Sequence, residues 1–156
     1  MVDDAGTGEA LEMTPDLEEA LSGACYCLAV RKASRRMIRI YDAELADHGL
    51  TIVQFALLAW IASLGAPTVQ KLADSAAMDQ SAMSRGLGPL ERNGLVESGA
   101  DEADRRKRVV RLTDEGRRRL TAASSAWKAA QTRIEAGQPD TDMGALISAI
   151  RAMARS

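Results

Sequence analysis

The chain has 156 residues, of which 46% are hydrophobic and 27% are charged. This length and balance indicate one soluble globular domain whose core needs neither a disulfide nor a structural metal. One Phe, two Tyr and two Trp leave aliphatic residues to build the core, which favours helices over a β-sandwich. No apolar run approaches the roughly 18 residues of a membrane span, and the acidic first residues argue against a signal peptide. We therefore expect a cytoplasmic protein with reduced cysteines and no membrane partner.

The formal net charge of −2 conceals an uneven distribution. Residues 1–24 carry seven acidic residues and no Lys or Arg, whereas residues 25–156 carry 20 basic and 15 acidic residues. Five cations fall in the run RRKRVVR at 105–111. This concentration of positive charge makes nucleic acid a candidate partner.

Helical signals dominate the first half of the chain. Residues 1–14 are predicted to form an acidic tail, and apolar spacing predicts a helix over 15–46 that ends at Gly49. Thr51 is placed to cap a second helix that is apolar on nearly all sides and therefore buried. Gly65 and Pro67 end that helix.

Two short helices and a hairpin follow. The segments TVQKLADSA and MDQSAMSRGLGPLERNG are joined tightly at 76–78, which is the spacing of a helix-turn-helix. Asp79 is placed to cap the second segment and Gly94 to terminate it. The pieces LVES and RVVRL predict a β-hairpin with a basic tip, and Thr113 caps a long helix that GQPDTD separates from a short final one.

A helix-turn-helix followed by a hairpin predicts a winged helix, in which the second helix lies in the DNA major groove and the hairpin tip reaches the minor groove. On this second helix, Met83, Leu87 and Leu90 form the inward stripe. The outward positions are Gln80, Ser81, Ser84, Arg85 and Gly88. Gln suits adenine, Arg suits guanine, and the serines suit bases or phosphates. The alternative is a solvated polar face on a small core helix.

Arg105, Arg106, Lys107 and Arg108 crowd the predicted hairpin tip, where their mutual repulsion indicates an anionic partner. Asp104 is placed to orient the Arg106 guanidinium by a charge-assisted hydrogen bond. The alternative is a solubilising loop whose acids neutralise the cations.

These segments resemble the MarR family (multiple antibiotic resistance regulators). The resemblance is carried by HGLTIVQFALL, TVQKLADSAAMDQSAMSRGLGPLERNGLVE and DEADRRKRVVRLTDEG, which lie within residues 48–116. It implies a mainly α fold with a small β-hairpin wing, in which a winged helix-turn-helix lobe, 51–113, joins a helical dimerisation layer, 15–47 and 114–156. It also implies a homodimer that binds a pseudo-palindromic operator in double-stranded DNA.

The resemblance assigns roles to individual residues. Arg106 becomes the minor-groove residue, with Asp104 as its support and Arg105 and Lys107 beside it. Ser81, Ser84 and Arg85 take base or phosphate positions on the recognition helix, next to Gln80. Two residues at the start of the preceding helix, Thr68 and Gln70, are expected to contact the phosphates of the DNA backbone.

The resemblance further implies repression that a small, phenolic or lipophilic effector relieves, bound where the first, second and fifth helices meet. The candidate residues for that pocket are Cys25, Cys27, Arg31 and Trp60, and the alternative for Trp60 is plain core packing. On a continuous helix Cys25 and Cys27 point about 200° apart, so they suit buried filler better than a shared metal or a mutual disulfide. Redox sensing through one thiol, with Arg31 one turn after Cys27, remains the alternative.

Two rival classes of function remain. An enzyme is disfavoured, because no nucleophile elbow, phosphate-binding glycine loop or metal motif is present and His48, the one histidine, falls at a predicted helix end. A structural dimer whose winged helix binds protein is the other rival. The sequence predicts no cofactor and no metal.

Overall fold

A computed structural model of the chain describes residues 12–101 and 104–154. The chain divides into two compact units, Met1–Arg36 and Met37–Ser156. Most of the predicted acidic tail lies outside the described residues. The elements in order are α1 (Pro15–Glu19), a π-helical turn (Ala20–Ala24), α2 (Tyr26–Leu45), a 3-10 turn (Ala46–His48), α3 (Ile52–Leu64), α4 (Val69–Ser75), α5 (Gln80–Arg92), β1 (Val96–Ala100), β2 (Arg108–Leu112), α6 (Asp114–Ala136) and α7 (Met143–Met153).

The first unit corrects the prediction of one helix over 15–46. Gly23 adopts φ 101°, a left-handed conformation that glycine tolerates without a steric penalty, and this breaks the helix. Cys25 follows in extended backbone, with φ −71° and ψ 107°, and α2 begins only at Tyr26. Cys25 therefore lies outside the helix, so the argument that helical geometry points the two cysteines apart is wrong.

The predicted helix ends in the second unit are confirmed. Gly49, at φ 64°, closes the 3-10 turn that ends at His48. Thr51 caps α3 in a reciprocal capping box with Gln54, in which each side chain accepts a backbone N–H of the other residue. Thr113 caps α6 by accepting the N–H of Gly116 at 3.0 Å. Local side-chain chemistry thus sets where these helices start.

The core of the second unit is aliphatic and centres on α3, which buries Phe55, Leu57, Leu58 and Ile61. Phe55 also stacks on Trp127 of α6, with ring centroids 6.2 Å apart. The end of α2 is tied to α6 by the Tyr41 hydroxyl, which donates to Gln131 at 2.6 Å. Burial, and then the charge of Glu135, raise the pKa of Tyr41. This packing makes α3 the support on which the later elements rest.

The two strands pair antiparallel, from Val96 opposite Leu112 to Ala100 opposite Arg108. Val109, Val110 and Leu112 are buried, so β2 forms part of the core and carries the hairpin outward. Among the described residues, no single helix is long and apolar enough to cross a membrane; only Pro15–His48 and Ile52–Leu64 taken together reach that length and composition, with a 73° bend between them.

Candidate nucleic-acid interface

The helix-turn-helix consists of α4, a turn at 76–79 and α5. Asp79 caps α5 by accepting the N–H of Ala82 at 2.7 Å, as predicted. The predicted inward stripe is confirmed, because Met83 and Leu90 are 0% exposed and Leu87 is 3% exposed. This orientation leaves Gln80, Ser81, Ser84 and Arg85 exposed along the opposite side.

The serine hydroxyls on this exposed side already have partners within the helix. Ser81 donates to the Asp79 carboxylate, and Ser84 donates to the carbonyl oxygen of Gln80 at 2.9 Å. The Ser81 hydroxyl and then the Ala82 N–H hold the pKa of Asp79 below its usual value. The serine oxygens therefore face outward as acceptors, while the long side chains of Gln80 and Arg85 supply the donors that reach furthest.

The start of α4 is more constrained than the sequence predicts. Thr68 is half-buried, and its hydroxyl caps α4 by accepting the N–H of Lys71 at 3.1 Å. The side-chain amide of Gln70 is exposed and donates to Asp74 at 2.7 Å. A phosphate contact by either residue requires sharing or exchanging these bonds, and both assignments stay predictions.

The hairpin tip is held by backbone bonds. The N–H of Asp101 donates to the Lys107 carbonyl, and the N–H of Lys107 donates to the Asp104 carbonyl, both at 2.9 Å. Asp104 also accepts the backbone N–H of Arg106 at 3.1 Å, and its other carboxylate oxygen lies 3.8 Å from Lys107 Nζ. In this structure Asp104 contacts the backbone of Arg106, and its proposed role in orienting the Arg106 guanidinium stays a prediction.

The four tip cations, Arg105 to Arg108, are all exposed. The ion pair between Lys107 and Asp104 joins two exposed side chains, so water screens it and it contributes little to stability. The described part of the wing tip therefore presents four exposed cations beside Asp104, and this excess of positive charge suits a polyanion.

Two residues that the sequence reasoning missed fix the hairpin to the lobe. The carbonyl of Pro67 accepts the N–H of Val110 at 2.9 Å, so the segment before α4 pairs with the free edge of β2. Gly116 of α6 approaches the backbone just before β1, where a Cβ would lie only 2.0 Å from the carbonyl oxygen of Leu95. A glycine in the first turn of a long helix was the available signal for this close approach.

The predicted effector residues fall in different units. Cys25 is half-buried, and Cys27 and Arg31 are exposed, all in the first unit. Trp60 is half-buried in the second unit, where it packs on the core and lines a small apolar cavity. Their grouping around one effector stays a prediction. Within the described ranges, no set of three His, Cys, Asp or Glu residues is placed to hold a metal ion.

Comparisons with known proteins agree with this architecture. The model of the MarR family matches residues 50–107, from the end of the 3-10 turn to the wing. The crystal structure of the transcriptional regulator MosR from M. tuberculosis, solved in complex with DNA, is 31% identical; the alignment covers 84% of this chain and 94% of MosR, with a TM-score of 0.74.

Two further relatives extend the comparison. The transcriptional repressor NicR from Pseudomonas putida is 32% identical over 93 residues, which are 60% of this chain and 59% of the length of NicR. BpsR from Bordetella bronchiseptica, whose DNA binding is regulated by 6-hydroxynicotinic acid, has a TM-score of 0.77 at 24% identity, covering 86% of this chain and 96% of BpsR.

Proposed function

Because the chain belongs to the MarR family of transcriptional regulators, and so is not an enzyme, we propose that it binds an operator as a dimer, represses its target genes, and leaves the DNA when a small effector binds. A cytoplasmic location is part of this proposal. The observation that carries it is the pairing, within one compact unit, of an exposed polar side of α5 with a cationic wing tip. These two surfaces match the two grooves of B-form DNA.

In this proposal α5 enters the major groove. Gln80 offers the amide pair that adenine recognises, and Arg85 offers the two donors that guanine recognises. Arg106 enters the minor groove, while Arg105 and Lys107 contact phosphates and release counterions. The hydrogen bond from Val110 to Pro67 ties β2 of the wing to the segment before α4, so we expect the wing and the helix-turn-helix to contact DNA as one unit.

Exposed apolar side chains support the dimer. In α7 no residue is buried, and its exposed large apolar residues are Leu146, Ile147, Ile150 and Met153. In the first unit Leu21, Tyr26 and Leu28 are also exposed, at 71%, 87% and 51%. Apolar surface of this extent is characteristic of protein interfaces, and a two-fold dimer would bury it.

Repression and release by an effector rest on the relatives. NicR carries the name of a repressor, and the DNA binding of BpsR responds to a small aromatic acid. An effector releases DNA only if it binds more tightly to the conformation of the DNA-free protein than to the conformation of the DNA-bound protein. In a dimer, a small change in the spacing of two recognition helices is enough to break their match to two half-sites.

The DNA-binding proposal is tested by selecting genomic fragments at moderate salt and measuring the affinity of the best fragment at several salt concentrations. We expect a pseudo-palindromic site whose affinity falls steeply with salt. Arg85→Ala should weaken binding by about 5- to 150-fold and relax the base preference at one position in each half-site. Arg106→Ala should weaken binding about tenfold without lowering thermal stability.

Lys128→Ala provides the matched control, because Lys128 is an exposed cation on α6 outside the proposed interface. A selection that returns no preferred sequence, or affinities for Arg85→Ala and Arg106→Ala equal to that of Lys128→Ala, would refute the proposal.

The dimer is tested by sedimentation at micromolar concentration. Ile150→Glu places a charge among the exposed apolar residues of α7 and should convert the dimer to monomer while weakening operator binding. A wild-type protein that sediments as a monomer contradicts this part of the proposal.

A second candidate function is thiol-based redox sensing, and one observation favours it. Cys25 lies in extended backbone and Cys27 in the first turn of α2, so helical geometry no longer holds the two side chains apart. In this alternative the exposed Cys27 attacks a peroxide ROOH, giving a sulfenic acid and the alcohol ROH. Cys25 then attacks that sulfur, which forms a disulfide and releases water.

Peroxide treatment of the wild type, Cys25→Ser and Cys27→Ser decides this alternative. Release of DNA by the wild type alone, together with loss of two hydrogens by mass spectrometry, supports the disulfide. Equal release by all three proteins, or release by none, eliminates it while leaving the DNA-binding proposal intact.

A further inference from the structure

One side of α2 carries four cations, which we call the α2 basic strip: Arg31, Lys32, Arg35 and Arg36. At about 100° per residue, these four positions fall within a sector of about 140° around the helix axis. All four residues are exposed. The strip lies outside residues 50–107, which the MarR family model matches, and only Arg31 of the four belongs to the predicted effector pocket.

The charge of the α2 basic strip is not compensated by neighbouring acids. No Asp or Glu occurs in residues 20–41. Within the part of the chain that the structure describes, none of the four cations has a carboxylate at ion-pair distance. Arg31 and Arg35 are one helical turn apart, as are Lys32 and Arg36, and like charges at this spacing destabilise a helix. The strip therefore favours an anionic group that lies across it.

The same chain supplies a segment of opposite charge, residues 3–12, which we call the acidic segment. It contains no Lys or Arg and four acids, Asp3, Asp4, Glu9 and Glu12. Glu12 is exposed and has no cation at ion-pair distance among the described residues, and the rest of the segment lies outside them. The acidic segment and the strip fall within the same compact unit, Met1–Arg36, and their charges match in number.

The chain between them is long enough for contact. Even a straight helix from Pro15 to Arg36 would separate these two residues by only about 32 Å. Residues 3–15 in extended form span up to about 40 Å, so the carboxylates can reach every cation of the strip. Because the segment is tethered, its effective concentration at the strip is on the order of millimolar, which suits contacts too weak to form between separate molecules.

We propose that the acidic segment docks on the α2 basic strip of the same chain and thereby keeps the strip from binding DNA of arbitrary sequence. The carboxylates take the positions that DNA phosphates would occupy, so non-operator DNA must displace them before it gains these contacts. Operator binding through α5 and the wing uses other residues. The docking does not depend on the proposed function, whereas its effect on DNA rests on it.

Docking is tested by cross-linking the full chain with a water-soluble carbodiimide, which couples an amine to a carboxylate as an amide and takes up the lost water to become a urea. Lys32 is the one lysine among residues 1–70. We expect peptides that join Lys32 to Asp3, Asp4 or Glu9. Their yield should fall severalfold between about 0.01 M and about 1 M salt, because the Debye length falls from about 30 Å to about 3 Å. No such peptide, or a yield that does not change with salt, would overturn the docking.

A matched variant separates docking from the effect of the tether. The strip variant, Arg35→Gln with Arg36→Gln, removes half of the charge of the strip while it keeps Lys32 and the helix propensity of α2. Its yield of Lys32 cross-links should fall at least about threefold, because a weaker field holds fewer carboxylates near the amine. An unchanged yield means that the tether alone brings the groups together, and this refutes the docking.

The identity of the occupant is tested with an equal mixture of ¹⁵N-labelled and unlabelled protein. Docking within one chain gives cross-linked peptides in which both halves carry the same label. Peptides of mixed label in equal amount would show that the segment of a second copy occupies the strip, which overturns docking within one chain.

The effect on DNA is measured with a duplex that lacks the operator, at about 0.05 M salt. In the neutral-segment variant the four carboxylates become amides: Asp3→Asn, Asp4→Asn, Glu9→Gln and Glu12→Gln. This variant should bind the duplex at least about threefold more tightly than the wild type, with a steeper dependence on salt. Adding the strip variant should abolish most of this gain, because the freed cations are those of the strip.

A gain of equal size with and without the strip variant means that DNA occupies the strip whether or not the segment is charged, and this overturns the effect on DNA. A protein that binds neither operator nor other DNA refutes the proposed function together with that effect. The Lys32 cross-links still decide the docking in either case.

Discussion

Replacing Gly116 with alanine tests whether α6 holds the wing by direct backbone contact. The new Cβ would lie 2.0 Å from the carbonyl oxygen of Leu95 and 3.0 Å from its carbonyl carbon. A normal contact between carbon and oxygen needs more than 1 Å of additional separation, so backbone must move. That same oxygen accepts the N–H of Thr113 at 3.1 Å, and the movement stretches this bond too.

The expected magnitude follows from three contributions. Overpacking costs about 1–3 kcal/mol, and the weakened hydrogen bond costs about 1 kcal/mol more. The higher helix propensity of alanine stabilises the fold by about 1 kcal/mol and partly offsets these costs. We expect the free energy of unfolding to fall by about 1–3 kcal/mol, which lowers Tm by roughly 2–12 °C for a chain of this size.

Thermal unfolding followed by circular dichroism, at matched protein concentration, measures the effect. Gly88→Ala is the matched control, since a Cβ there meets only the mobile end of Arg92, at 3.3 Å, and the substitution should be neutral or stabilising. If Gly116→Ala melts at or above the wild-type temperature, α6 does not hold the wing through this contact.

Three further predictions concern the turn, the α5 cap and the link between α2 and α6. Ala77→Gly should raise the free energy of unfolding by about 0.5–1 kcal/mol, because glycine relieves the strain of the left-handed backbone at this position. Ala129→Gly, at an exposed position of α6, should lower the free energy of unfolding. Changes of the same sign in urea unfolding of the two variants would contradict this reasoning. Because the pKa of Asp79 is lowered in the fold, its charged form stabilises the fold above the ordinary aspartate pKa, and this contribution is lost as the pH falls through the lowered value. The stability of the wild type should therefore drop more steeply in acid than that of Asp79→Asn. Parallel stability profiles of the two proteins against pH would disprove this. Tyr41→Phe should cost about 0.5–1.5 kcal/mol in urea unfolding, and an unchanged midpoint would show that its hydroxyl contributes nothing.

Features that depend on neighbouring residues were predictable from the sequence. Thr51, Asp79 and Thr113 cap their helices through their own hydroxyl or carboxylate, a few residues away. The stripe of Met83, Leu87 and Leu90 follows from helical spacing alone. The exposed side of α5, which forms the candidate interface, follows from the same spacing.

Features that depend on distant or unusual backbone were not predictable. A glycine inside an apolar pattern, such as Gly23, usually remains helical, so the break before Cys25 had no distinct local signal. Ala77 carries no residue-type cue for a positive φ, because that conformation is imposed by the two helices it joins. The contacts of Pro67 and Gly116 link segments far apart in sequence, and only the folded chain brings them together.

The last residue pair of the hairpin, Ala100 opposite Arg108, separates buried positions of β2 from exposed positions of the tip. Below it, Val109, Val110 and Leu112 are buried, so substitutions there change stability and function together. Beyond it, the described tip residues 104–107 make no contribution to the buried core. Under the proposed function, mutations at the tip would therefore change DNA binding without endangering the fold, and single substitutions there would give the regulator a route to new target genes.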